Sequence, residues 1–109
     1  MKVAVALDGD QVSGHFGHCE RYGIYQVDDG LATHVETVPS PGHEPGKLPV
    51  FLAGHHVDLV IAGGMGPKAV ELFREMGIEV LLGVSGSAAQ VAETFASGKL
   101  KAGVSSCHH

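Results

Sequence analysis

Basic side chains are scarce in this sequence. Seven Lys and Arg stand against twelve Asp and Glu, for a formal net charge of −5. A general nucleic-acid binder shows a basic face, so that class is excluded. A small anion is not, because a few local donors can outweigh the global field. Cysteine is nearly absent: Cys19 and Cys107 are the two there are, too few for a disulfide framework. Long apolar runs are missing as well. Met1-Lys2 is followed by five apolar residues before Asp8, too short for a signal-peptide core or a membrane span. The expectation is a cytoplasmic protein with reduced thiols and no membrane contact. No Gly-Lys-Ser/Thr follows a glycine-rich loop, so there is no P-loop. Nor is there a nucleophile–base–orienter set, since Ser13 and Ser85 have no specified partners.

What the chain does hold is glycine, 16 of 109 residues, and histidine, eight. The apolar share of 44% and a mean hydropathy of +0.16 suit one domain, residues 1–109, around a single core. Residues 2–7 form a Val-rich run closed by Asp8-Gly9-Asp10, which predicts a buried central strand. Residues 21–27 and 31–38 flank Asp28-Asp29-Gly30, a hairpin signal. Residues 39–46 carry three prolines and two glycines and predict a surface loop. A short helix follows over 48–55, with Pro49 in its first turn.

Asp58–Ala62 predicts a second buried strand. Ala69, Leu72, Phe73 and Met76 then recur at helical spacing between Pro67 and Gly77. Residues 78–82 read as a further strand. Ser87 and Gln90 resemble a capping box before the stripe Ala88, Val91, Ala92 and Phe95. The tail 99–109 has no strong period. Strand–helix–strand from 58 to 82 is a βαβ unit, so the prediction is an α/β domain. Its sheet would be mixed, with about five strands and helices on its faces.

The chemistry concentrates in Ser13-Gly14-His15-Phe16-Gly17-His18-Cys19, two imidazoles and a thiol within five residues. Imidazole and thiolate bind borderline and soft transition metals, and thiolates hold metal–sulfur clusters. His15, His18 and Cys19 are therefore candidate metal ligands; the alternative is a turn with one buried histidine and a buried cysteine. Gly63-Gly64-Met65-Gly66-Pro67 follows the second buried strand at a helix start, where free amides favour an anion. The alternative there is an ordinary strand–helix turn. Both loops leave the carboxyl ends of strands, where ligands gather in open α/β sheets. His43-Glu44 offers a further ligand position, and Cys107-His108-His109 either swings in as ligands or frays. Asp8 and Asp58 fall at opposite rims, which argues against a two-metal nuclease.

Taken together, Ser13-x-His15-Phe16-Gly17-x-Cys19, then Pro41-Gly42-His43-Glu44 before a short helix, then the run Val57 to Ala69 resemble the dinitrogenase iron–molybdenum cofactor biosynthesis family. The resemblance extends to Gly77-Ile78 and to a terminal Cys-His, covering nearly the whole chain in order. It implies a three-layer α/β/α domain of ribonuclease-H-like architecture with a mixed five-stranded sheet. It also implies a carrier or scaffold, not an enzyme, for an iron–molybdenum or molybdenum–copper sulfide cluster. Cofactor-assembly proteins would be its partners; a further reading is a non-catalytic regulatory domain that uses the same rim to contact a partner protein such as an ATPase. By this resemblance the cofactor-binding positions are His15, Phe16, Gly17, Cys19, His43, Gly63, Gly64, Met65 and Gly66, with Lys68 neutralising charge. The residue chemistry also admits a simple binder of copper, nickel or zinc ions.

Overall fold

The computed structural model describes residues 1–16, 18–41 and 47–98. The sheet is built on β1 (Lys2–Asp8), whose Val3, Ala4, Val5 and Ala6 are fully buried. A strand buried on both faces must carry apolar side chains in both alternating sets, and this one does. Antiparallel β3 (Arg21–Asp28) lies on one side of β1, and β4 (Leu31–Pro39) continues outward as the edge. On the other side β5 (Leu59–Ile61) and β6 (Glu79–Leu81) run parallel to β1. The order β4-β3-β1-β5-β6 is the expected mixed sheet.

One strand more than expected is present. β2 (Gln11–Val12) pairs antiparallel with the end of β1, Leu7 opposite Val12 and Asp8 opposite Gln11, making six. Two residues show no period, and Asp8-Gly9-Asp10 reads equally well as a strand end. Gly9, at φ +63°, turns the chain back as a hairpin through a conformation that glycine adopts without strain.

The helices form two outer layers. α1 (Lys47–Gly54) and α2 (Pro67–Glu75) place Leu48, Leu52 and Phe73 against Ala4, Ala6, Tyr22, Ile24 and Val60. α3 (Ala88–Ala96) places Ala88 and Val91 against Val3, Val5, Leu7, Leu59 and Ile61 on the opposite face. The alternation of Val and Ala along β1 thus gives the α1–α2 face the smaller side chains, where the aromatic rings need room. Pro67 opens α2. At its end Gly77 and Ile78 donate back to Arg74 and Phe73 carbonyls, the bonding that closes a helix. Met76, assigned to the core by its spacing, is this helix's C-cap residue and is exposed. Ser87 Oγ accepts from Gln90 N at 3.5 Å, one half of the capping box. Asp58 Oδ2 accepts from Lys2 N at 2.8 Å, which fixes Asp58 at the rim opposite Asp8.

At the carboxyl ends of β1, β5 and β6 three loops are bonded into one rim. Ser13 N donates to Ala6 O, Gly63 N to Ser13 O at 2.8 Å, and Phe16 N to Gly64 O at 2.9 Å. Gly83 N donates to Gly63 O, and Val12 N to Gly86 O. The chains approach so closely that a Cβ on Gly63 would lie 2.8 Å from Gly14 Cα and 3.0 Å from Ser13 O. A Cβ on Gly64 would lie 2.9 Å from Gly14 O. Backbone, not a flexible side-chain tip, is what a substituent would strike.

Gly63→Ala is therefore expected to destabilise by about 1–3 kcal/mol through forced backbone shifts. Gly54→Ala, which meets nothing within 4 Å, should be neutral or stabilise by up to ~1 kcal/mol. Urea unfolding midpoints measure both. By the same method Phe73→Ala, at a fully buried position, should cost about 3–5 kcal/mol. Leu31→Ala, at a position 71% exposed, should stay within about 0.5 kcal/mol.

Candidate functional site

The loop between β2 and β3 sorts its side chains by chemistry. Ser13 is buried, and its Oγ accepts from His15 N at 3.2 Å and donates to His15 O at 3.3 Å. A hydroxyl satisfying the backbone two residues on sets a tight turn. His15 is thereby held in the exposed set. Phe16 turns inward, its ring 5.5 Å from Tyr22 and 5.3 Å, edge-on, from Phe73. These are favourable aromatic geometries within the core. His18 N donates to His15 O at 3.1 Å, and the His18 side chain is exposed. Cys19 is 3% exposed and belongs to the same core cluster as Phe16. Glu20 N then returns to Leu7 O, and Glu20 Oε1 accepts from Gly9 N at 3.1 Å. Positions 16 and 19 anchor the strap; positions 15 and 18 face solvent.

This division changes the reading of the cluster. His15, His18 and Cys19 do not converge as three ligands. Among the described residues no group of three or more His, Cys, Asp or Glu side chains could hold a metal ion. Proximity in sequence brought the three together on paper, but apolar burial takes the thiol and phenyl ring one way and leaves the imidazoles the other. Gly17, His43, Cys107, His108 and His109 lie outside the described residues.

The second loop is adjacent, as expected, but plays a different part. Gly63 N–H is spent on Ser13 O and Gly64 O accepts from Phe16 N, so Gly63 is a splice between loops and not a free anion donor. Met65 is half-buried against the α1–α2 core. Gly66 caps α2 with extended backbone, no side chain caps the first turn, and no acidic residue lies in it. Lys68 in that turn is exposed. The outer rim therefore combines two imidazoles, a helix N-terminus without a side-chain cap, and one ammonium group. Such a surface suits an anion, and imidazole is a ligand for transition metals.

Sequence reasoning did not identify the third loop, Gly83–Ser87, as part of this rim. The signal was available: two glycines ahead of a capping serine at a strand's carboxyl end. Of the other histidines, His34 is exposed on β4. His55, at the end of α1, is 3.8 Å from Glu36 Oε2 and stacks edge-on against Phe51. Among the described residues no helix is long and apolar enough to cross a membrane.

Comparison with known proteins agrees with this architecture. The solved structure of PH0822 superposes with a TM-score of 0.87 at 35% identity, over 94% of each chain. The apo form of the orange protein from Desulfovibrio gigas superposes with a TM-score of 0.75 at 21% identity, over 94% of this chain and 92% of that one. That second likeness speaks for the fold. An uncharacterized protein of Methanocaldococcus jannaschii, MJ0580, is 30% identical over 106 residues, 93% of this chain and 90% of its own length. The model of the dinitrogenase iron-molybdenum cofactor family matches residues 1–98, and the chain belongs to that family.

Proposed function

We propose that this protein is a small cytoplasmic, non-catalytic carrier that holds a metal–sulfur cluster on the rim formed by the 13–20 and 63–68 loops. The observation that carries the reading is the outward pair His15 and His18 on a strap anchored by Phe16 and Cys19. A sulfide-bearing cluster is polyanionic and contains metals that accept imidazole nitrogen. Imidazole bonds its metal, while the first turn of α2 and Lys68 offset the negative charge. A cargo held through few bonds can be passed on, which is what delivery requires. Cys19 contributes by packing. His43, Cys107 and His108 remain ligand candidates on sequence grounds. Cofactor-assembly proteins, or an ATPase that drives transfer, are the partners such a carrier would meet.

Anaerobic uptake tests this reading. The tag-free protein is offered thiomolybdate with copper, an iron–sulfur cofactor precursor, and bare Zn²⁺, Cu²⁺ or Ni²⁺ in separate reactions. Visible absorption and metal-to-sulfide stoichiometry are then recorded. The carrier reading expects a charge-transfer band with sulfide retained, and loss of at least about tenfold in affinity in His15→Ala. The His15→Ala fold should be intact by circular dichroism. Uptake of bare ions without sulfide would replace the cluster with a simple metal ion.

Cys19→Ala is expected to keep uptake while lowering stability by about 1 kcal/mol. Lost uptake in a folded Cys19→Ala protein would restore the thiol as a ligand. Uptake by His43→Ala and by a chain ending at Ser106 decides whether those residues take part.

A further inference from the structure

On the opposite face of the sheet from Phe16 and Cys19, a groove of about 390 Å³ separates the first turn of α3 from the β3–β4 hairpin. The groove is open to solvent and is not an enclosed void. On β3 the residues facing α3 are Arg21, Gly23 and Tyr25. They sit opposite Leu7, Val5 and Val3 of β1, which point into the α3-side core. Gly23 carries no side chain, and the Tyr25 ring folds over it: a Cβ there would lie 3.2 Å from Tyr25 Cε1 and 3.4 Å from Leu7 Cδ1. On α3 the facing residues, Ser87, Ala88 and Ala89, are all short. Short side chains thus bound the groove on the helix side.

The third wall depends on a β-bulge. Ile24 pairs with Glu36 but Tyr25 pairs with His34, which leaves Val35 as an extra residue in β4. In a regular strand His34 and Thr37, three apart, would point to opposite faces. The bulge puts them on the same one, with His34 Nε2 2.7 Å from Thr37 Oγ1. The imidazole also meets the Tyr25 ring edge-on, centroids 5.4 Å apart. Bulges commonly re-aim side chains at binding sites. Burial pushes the Tyr25 phenol above its ordinary pKa, so it remains a neutral ring wall with a hydroxyl donor.

Arg21 is exposed at the mouth. Among the described residues no ion pair or hydrogen bond engages its guanidinium. Asp10 stands on the same rim and would repel a multiply charged guest.

We propose that this groove is a second binding site, for a small planar organic anion: a ring bearing a single carboxylate. Arg21 grips the carboxylate as a bidentate fork. The ring lies against Tyr25 and His34, and the Thr37 and Ser87 hydroxyls meet polar ring substituents. The volume is at the lower end for a ligand pocket and suits one or two rings. Asp10 sets the limit of one charge. This site does not use the metal-binding residues, since none of His15, His18, Cys19 or Lys68 lines the groove.

The test is a backbone-amide chemical-shift titration of the full chain with benzoate and indole-3-acetate. Benzamide supplies a ring without charge, and acetate a charge without a ring. Saturable shifts at Gly23, Thr37 and Ala89 are expected with the two ring carboxylates, at a Kd of ~1 mM or below. Benzamide and acetate should bind at least about tenfold more weakly. Arg21→Gln should weaken benzoate by about tenfold or more, and Ala89→Glu, which fills the groove with a negative charge, should abolish binding. Both positions are exposed, so the dispersed spectrum of the fold should persist. His15→Ala should leave benzoate binding unchanged. Absence of saturable shifts at ~10 mM benzoate and indole-3-acetate would overturn the proposal. So would acetate binding as well as benzoate, or Arg21→Gln binding like the parent.

Discussion

The rim depends on two backbone hydrogen bonds, Gly63 N to Ser13 O and Phe16 N to Gly64 O. They splice an irregular loop onto the end of the parallel part of the sheet, so that the loop behaves as an extension of β-structure. The splice exists only because no Cβ intervenes: main chains at 63 and 14 are closer than any side-chain-bearing residue at 63 permits. Glycine here is required for contact between backbones and not for an unusual dihedral angle. Loosening that contact would release Phe16 from the core and with it the positions of His15 and His18. A functional loop is accurate only if something rigid holds it, and here the sheet itself does.

Burial then decides what the loop presents. Withdrawing Phe16 from water contributes about 1.5–3 kcal/mol, and Cys19 adds a smaller apolar share. The imidazoles have no comparable drive inward, because a buried ring nitrogen needs a partner. The sequence His-Phe-Gly-His-Cys therefore resolves into an inward pair and an outward pair by transfer energetics alone. A reading based on ligand type and spacing puts all three metal-ligating side chains in one place. Cys19 is buried with Phe16 in the core, as the alternative of a buried cysteine expects.

Much of the architecture was legible because it rests on strong, local signals. The apolar run Val3–Leu7 of β1, the Asp28-Asp29-Gly30 hairpin and the Pro67-to-Gly77 helix signal with Phe73 on its stripe each name one structure. What was not legible has a common cause. β2 is two residues long, shorter than any period. The role of Gly63 depends on which backbone passes beside it, and the bulge at Val35 depends on the register of β3. These are long-range facts of pairing that no window of sequence contains. The same limit hid the contribution of the Gly83–Ser87 loop. Its glycines were visible, but their partners, Gly63 and Val12, are distant in the chain.

For a protein of net charge −5 to receive anions, as proposed, local electrostatics must differ from global. Screening makes this possible, since charges beyond about 8 Å are largely screened at physiological ionic strength. Near the rim Glu20 Oε1 is turned onto Gly9 N, while Asp58 is held by Lys2 N at the far end of the sheet. The first turn of α2 contains no acid and carries Lys68, and the first turn of α3 contains no acid either. Two neighbourhoods are thus left without a local excess of carboxylate. The difference between them lies in their donors. The rim offers imidazole nitrogens that can bond a metal, whereas the α3-side groove offers a guanidinium fork and ring walls that match an organic carboxylate.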